Sequence, residues 1–338
     1  MSGSALPYHL RPHKAVDRRL FIDLLTRFER WRPLHQYAYI SMGAYPLEDH
    51  KMVHRVLGLK RLLAFDYDED IVNRQKFNRP ISTCKCVQAT SGEVVQDFDA
   101  ILKDNGIDDA AGVIVWLDYT DPNKIHLQLR EFETLIDKLA VGDVVRVTVN
   151  AHFSEYADPV VPGQPRPLRT ERQQQTFVKL QRRIADYLPS TASAADMTEE
   201  GLPLLLAHAF GVAVHNAFQP TSNTTFKPLS ITRYADGLQM LTITGTIVQR
   251  KDERELVKAL DLKNWPFASK DWKKIHHLVV PALTLRERLF LERELGGRAD
   301  RIVKKLGFSS TADVSIRDFL KSYKDYYRFY PTLLSADI

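Results

Sequence analysis

An apolar strand beginning at Tyr37 runs into Ser41-Met42-Gly43-Ala44-Tyr45-Pro46, a helix follows, and a second strand, Leu62-Leu63-Ala64-Phe65, ends on Asp66. Two apolar strands joined through a helix pair in parallel, because the helix is what carries the chain back to the same edge. The turn after the first strand then sets backbone N–H groups and a helix N-terminus beside one part of a ligand, while an acid closing the second strand can accept from ribose hydroxyls. Asp66 stands 23 residues after Gly43, close to the spacing of about 20 that such units show. Tyr37 to Pro80 therefore reads as a nucleotide-binding βαβ unit built on a single glycine.

The alternation continues down the chain. Glu69 to Phe77 is expected to be helical and to stop before Pro80, whose ring cannot continue a helix. Thr83-Cys84-Lys85-Cys86-Val87 suits a third strand, Val94 to Asn105 a helix, and Gly112 to Leu117 a strand buried on both faces. That run ends in Asp118-Tyr119-Thr120-Asp121-Pro122, and a helix from Lys124 to Leu139 leads to the strand Val144 to Val149. Five strands interleaved with helices predict a parallel sheet with right-handed crossovers. Before them, Phe21, Leu24, Leu25, Phe28 and Trp31 recur at helical spacing and predict a capping helix over Lys14 to Trp31.

After residue 200 an apolar helix is expected over Leu202 to Phe218, followed by two alternating runs, Leu229 to Tyr234 and Gln239 to Thr244, either side of Asp236-Gly237. Asp-Gly between alternating runs is a hairpin signal. The expected fold class is α/β: a Rossmann-like, mostly parallel seven-stranded sheet with a terminal antiparallel β-hairpin, helices on both faces and a helical C-terminal extension. The expected segments are a capping helix in 1–34, the Rossmann-like domain in 35–250 and the helical extension in 251–338. An insertion at about 153–200 holds a proline-rich loop, Pro159 to Pro167, and a basic helix from Thr170 to Leu188.

With 338 residues, 44% of them hydrophobic and 26% charged, the chain can bury a large core, so disorder is not its default. Met1 to Arg19 lacks the apolar stretch of a secretory signal, and the longest apolar runs are too short to cross a bilayer. No membrane partner and a cytoplasmic location are expected. Cys84 and Cys86 are the only cysteines; Cys-x-Cys without a second pair is poor zinc evidence, and reduced structural thiols are expected. Asp49, His50 and His54 share one early helix but offer no third imidazole or thiolate in pattern, so no metal is assigned. The net charge of +5 is C-terminal: residues 250–338 carry 19 Lys and Arg against 13 Asp and Glu.

Five βα steps closed by an antiparallel hairpin resemble the class I S-adenosylmethionine-dependent methyltransferase superfamily, whose seventh strand inserts antiparallel beside the fifth. Met42-Gly43-Ala44-Tyr45, Arg74-Gln75-Lys76-Phe77-Asn78 and Leu117-Asp118-Tyr119 also look like phrases of bacterial methyltransferase-like proteins. The resemblance implies S-adenosylmethionine as cofactor and methyl transfer to an unidentified acceptor. It implies cofactor contacts from Ser41, Met42, Gly43, Ala44 and Tyr45, a ribose-binding role for Asp66 with Tyr67 beside it, an adenine loop at Ala89 and Thr90, and Asp118 after the fourth strand. The first loop departs from the family pattern of an acid followed by Gly-x-Gly-x-Gly: Ser41 replaces the acid, Tyr45 the second glycine and Leu47 the third.

Asp118, Tyr119 and His152 are the candidate catalytic residues, the first two because they follow a buried strand at the ligand-facing edge. His152 follows the fifth strand and has an unperturbed pKa near neutrality. Two other classes fit the residues: a methyltransferase-fold protein without chemistry that binds protein or nucleic acid, and an NAD-dependent oxidoreductase, against which the hairpin counts. Nucleic acid or protein contact is expected, if anywhere, at the basic helix with Arg169, Arg172, Lys179, Arg182 and Arg183. The C-terminal stripe of Phe319, Tyr323, Tyr326, Tyr327 and Tyr330 and a faint helix-turn-helix pattern over Ala299 to Ser310 are the other places for it.

Overall fold

The computed structural model describes residues 11–159, 167–280, 283–307 and 315–330. The centre of the proline-rich loop, Val160 to Arg166, and the Phe308 to Val314 part of the helix-turn-helix pattern lie outside the described residues. One eight-stranded sheet organises the chain, in the order β3-β2-β1-β4-β5-β7-β6-β8. Its strands are β1 (Ala38–Ser41), β2 (Arg61–Asp66), β3 (Lys85–Gln88), β4 (Val113–Asp118), β5 (Val144–Asn150), β6 (Thr224–Asp236), β7 (Leu238–Gln249) and β8 (His276–His277). The first five pair in parallel, and β7 runs antiparallel beside β5. This is the strand arrangement the hairpin implied, with the two-residue β8 added at the edge beyond the seven strands expected.

Helices α1 (Pro12–Phe28), α2 (Glu48–Leu57), α3 (Glu69–Asn78), α4 (Ser91–Gln96), α5 (Phe98–Asp104) and α6 (Ile125–Lys138) alternate with the early strands. β4 is buried from Val113 to Leu117 and reads as a continuous apolar run, whereas β5, buried throughout, carries Arg146, Thr148 and Asn150 among its valines. Phe132 of α6 packs edge to face on Phe210 of α9 (Gly201–Ala217) and on Phe226 of β6, with centroids 5.0 and 5.3 Å apart. Such pairs add about 0.5–1.5 kcal/mol beyond the area they bury. The hairpin turns at Gly237, whose φ of +96° is open to glycine but strained for an L side chain. Its strands are 13 and 12 residues long, about twice the length of the alternating runs.

By backbone contacts the described residues divide into two compact units, those within 22–233 and 238–276, and those within 11–21, 234–237 and 277–330. The larger unit contains the parallel sheet, α7 (Phe153–Tyr156), α8 (Arg169–Ile184) and α10 (Glu253–Ala259). The smaller contains α11 (Leu285–Arg293), α12 (Ala299–Leu306) and α13 (Ile316–Tyr326). Within it the aromatic stripe faces inward: Phe319, Tyr323, Tyr326 and Tyr330 are buried, and Tyr326 and Tyr330 stack with centroids 6.4 Å apart. Arg288 lies over Tyr330 and Arg19 donates to the Phe329 carbonyl at 3.0 Å. These four rings are engaged in packing, and Tyr327 is half-buried beside them.

Candidate cofactor and acceptor site

Parallel pairing sets the carboxyl ends of the strands at one edge. Ser41 is in register with Ala64 on one side and Trp116 on the other, each two residues short of the acids that close their strands, Asp66 and Asp118. Asp118 is in register with Thr148, two residues before Asn150. The strand-end candidates Ser41, Asp66 and Asp118 thus share one edge, with Asn150 beside them at the end of β5.

The loop after β1 is held from beneath. Ser41 Oγ donates to Asp49 Oδ2 at 2.5 Å and accepts the Gly43 N–H at 3.1 Å; Tyr39 donates to the same carboxylate oxygen at 2.8 Å. From the far side, buried Gln75 of α3 donates to the carbonyls of Met42 at 2.9 Å and Ala44 at 3.3 Å. Gly43 has φ +64°, and a Cβ there would lie 2.7 Å from Leu47 Cδ2 and 2.8 Å from His50 Cε1. Ala44 and Leu47 also adopt left-handed backbone, with φ of 45° and 52°. Leu47 thus stands in backbone that glycine adopts without strain. The strain costs about 1–2 kcal/mol, and the side chain, fully buried, offsets it with about 1.5–3 kcal/mol of burial. The Tyr45 ring is covered by the Arg74 guanidinium at 3.4 Å from its centroid.

Two acids follow β2, and they do different work. Asp68 is the N-cap of α3 and accepts from the N–H groups of Asp70 and Ile71. Asp66 accepts from backbone N–H groups, the Asp68 N–H at 3.0 Å and that of Tyr67. Partial burial, then the neighbouring Asp68 charge, push its carboxyl above the usual aspartate value, although backbone N–H groups pull the other way. Its backbone carbonyl accepts from Ala89 at 3.0 Å, which joins the second loop to the third. Tyr67 is 74% exposed, and Thr90 caps α4 reciprocally with Glu93.

Beyond β4 the candidates separate. Tyr119 is buried and donates to Glu131 of α6 at 2.5 Å; burial and that carboxylate hold its phenol well above the usual range. Asn150, at the end of β5, bridges loops: its Nδ2 donates to the Thr120 carbonyl at 3.3 Å and its Oδ1 accepts the His152 N–H at 2.9 Å. His152 precedes α7, and its Nδ1 is buried with no hydrogen-bond partner. His50 and His54, considered as ligands from their spacing, are engaged with carbonyls instead: His50 Nε2 is 3.1 Å from Leu63 O, and His54 Nδ1 is 2.9 Å from Leu59 O. Sequence reasoning passed over Gln75 and the structural use of Asp49. The signal for Asp49 was the missing acid at position 41, which left the loop in need of a carboxylate from elsewhere.

Over residues 6–338 the sequence matches the model of the family Methyltransf_35, described as "Putative O-methyltransferase". The chain belongs to this family. Its membership, on a class I methyltransferase strand order, gives the O-methyltransferase-family protein its class of activity, S-adenosylmethionine-dependent methyl transfer, without naming the acceptor. Among solved structures this family member is similar to the plantazolicin methyltransferase BpumL in complex with a pentazolic desmethylPZN analog and SAH. Identity there is 10% and the TM-score 0.35, over 68% of this chain and 85% of that one. The complex of BpumL with a triazolic desmethylPZN analog and SAH gives 9% and 0.33, over 69% and 88%. At that likeness no residue is carried over from either. No curated protein matches the sequence. Among the described residues, no helix is long and apolar enough to cross a membrane.

Proposed function

We propose that the carboxyl edge of β1, β2 and β4 binds S-adenosylmethionine and that the protein passes its methyl group to an oxygen of an acceptor held by the 153–200 segment. The observation that carries this is Asp66: a half-buried carboxylate at the end of β2, released from helix capping by Asp68 and with acceptor capacity left for ribose hydroxyls. Around it, Ser41, Met42, Gly43, Ala44 and Tyr45 take the methionine end, Tyr67, Ala89 and Thr90 the adenine, and Asp118 the crevice between them. Bound there, the cofactor supplies a methyl group already activated on a sulfonium. The residues then have to align the acceptor and exclude water, with a base needed only for a weakly acidic acceptor. His152 Nδ1, buried and without a hydrogen-bond partner, and the Asp118 carboxylate are the groups to take that proton. Tyr119, committed to Glu131, keeps the wall of the crevice in place.

Calorimetric titration with S-adenosylmethionine, S-adenosylhomocysteine and NAD, repeated on Asp66→Ala, tests the reading. Adenosyl-ligand binding that weakens about tenfold or more in the variant supports it, as expected for loss of hydrogen bonds to a charged group. Binding of NAD alone would favour the oxidoreductase reading. Silence toward all three would favour a protein that uses the fold only for contact.

A further inference from the structure

A cavity of about 350 Å³ opens within the 153–200 segment, lined by Phe153, Arg169, Arg172, Gln173, Met197 and Glu199 among others. That volume falls in the range of roughly 300–1,000 Å³ usual for small-molecule sites. It begins at Phe153, the residue after His152, so it adjoins the carboxyl end of β5. Two arginines and one glutamate are among its lining residues.

Four of the carboxylates around this cavity already have work. Glu171 accepts the Leu168 N–H at 3.0 Å, Asp196 accepts from Ser193 N and Oγ, Asp158 pairs with Lys179, and Glu200 lies 3.7 Å from Arg233. Glu199 is held through its backbone, its carbonyl accepting from Gln239 Nε2 at 2.7 Å, while its side chain is exposed at the rim. Arg172 is different. Its guanidinium lies 5.3 Å from the Phe153 ring centroid, and its Nε is buried with no hydrogen-bond partner. A buried donor left unmade is costly unless a ligand completes it. Guanidinium geometry matches a planar or tetrahedral oxyanion, to which it can donate two parallel bonds. Buried Met197 and the Phe153 ring offer an apolar surface next to that donor.

We propose that this cavity is the acceptor subsite, and that the acceptor is a small molecule carrying an oxyanion, carboxylate or phosphate, on an apolar body. This rests on the methyl-transfer reading above. The oxyanion lies against Arg172, with Arg169 at the rim, and the apolar body lies on Phe153 and Met197.

The test is titration of the wild-type protein with benzoate, phenyl phosphate and neutral benzamide, with and without S-adenosylhomocysteine, repeated on Arg172→Gln and on the exposed-rim variant Arg169→Gln. At least one anion is expected to bind more tightly than benzamide. Its affinity should fall about tenfold in Arg172→Gln and about threefold in Arg169→Gln, in line with the loss of charge-assisted hydrogen bonds. Benzamide and S-adenosylhomocysteine affinities should not change. Which anion binds better identifies the oxyanion. The proposal is overturned if neither anion exceeds benzamide, or if both variants bind anions like the wild type. Anion binding without any adenosyl-ligand binding would instead remove the methyl-transfer reading and leave the anion site standing.

Discussion

Ser41 Oγ donates to the buried Asp49 carboxylate at 2.5 Å while it accepts the Gly43 N–H at 3.1 Å. A carboxylate on the following helix thus fixes this loop through Ser41, which stands where the family pattern has an acid. Removing the hydroxyl in Ser41→Ala frees the Gly43 N–H and should cost about 1 kcal/mol of stability. Asp49→Ala also strands the Tyr39 hydroxyl in the core and should cost about 3 kcal/mol. Urea unfolding gives both numbers. In folded Ser41→Ala, S-adenosylhomocysteine affinity should drop several-fold; an unchanged affinity would mean that Gln75 alone sets the loop.

Asp66 and Asp68 separate by experiment as they do in space. Asp68 accepts from two N–H groups at the start of α3, so Asp68→Ala should lose about 1 kcal/mol of stability and leave adenosyl-ligand affinity near the wild-type value. Asp66→Ala should do the reverse. If both variants lose affinity equally, the effect belongs to the position of α3 and not to the Asp66 carboxylate.

Tyr119 gives a contrast between packing and chemistry. Its phenol is held well above the usual range by burial and by Glu131, so it cannot serve as a base near neutral pH. Tyr119→Phe removes a hydrogen bond to a carboxylate and should cost about 1.5–3 kcal/mol, visible as a lower unfolding midpoint. Turnover of the folded variant should stay close to that of the wild type, once an acceptor is in hand. His152→Gln should behave oppositely, with kcat falling while the free energy of unfolding stays within about 0.5 kcal/mol of wild type.

The strands and the hairpin were legible because their signals are local. Period-two or continuous apolar runs, Pro80 and Asp236-Gly237 each act within a few residues. Asp66, Asp118 and Asn150 stand at strand ends because the runs before them stop there. What the sequence did not yield depends on partners distant in the chain or on conformation. Leu47 looked like a lost glycine, yet its φ of 52° keeps the turn; a propensity argument has no way to weigh that strain against the burial of its side chain. His50 and His54 stand at ligand spacing on one helix, and only the approach of the Leu63 and Leu59 carbonyls shows how they are used. Among the cations of α8, charge count alone does not distinguish Lys179, paired with Asp158, from Arg172. The strand β8 is two residues long, too short for any periodicity.

Beneath Gly43, His50 has an acceptor on each ring nitrogen: Asp49 Oδ1 lies 3.3 Å from Nδ1 and the Leu63 carbonyl 3.1 Å from Nε2. A neutral imidazole can donate to only one of them, whereas the imidazolium donates to both. Burial pulls the His50 pKa down, but the Asp49 charge, the hydrogen bond to Asp49 and the Leu63 carbonyl outweigh it, and the net direction is upward. A raised folded-state value means that the stabilisation is fully present below the unfolded histidine pKa of about 6.5 and is lost as pH rises through the folded value. Cys86 titrates nearby with the opposite sign. Its thiol is pushed down to about 7, chiefly by the hydrogen bond with Cys84. The measurement therefore belongs in a Cys84→Ser/Cys86→Ser background. There, urea midpoints should decline from pH 6 upward, and His50→Gln should flatten that decline while lowering stability most at pH 6. A midpoint that rises over the same range, or a decline that survives His50→Gln, would show that the imidazole beneath the loop is held neutral.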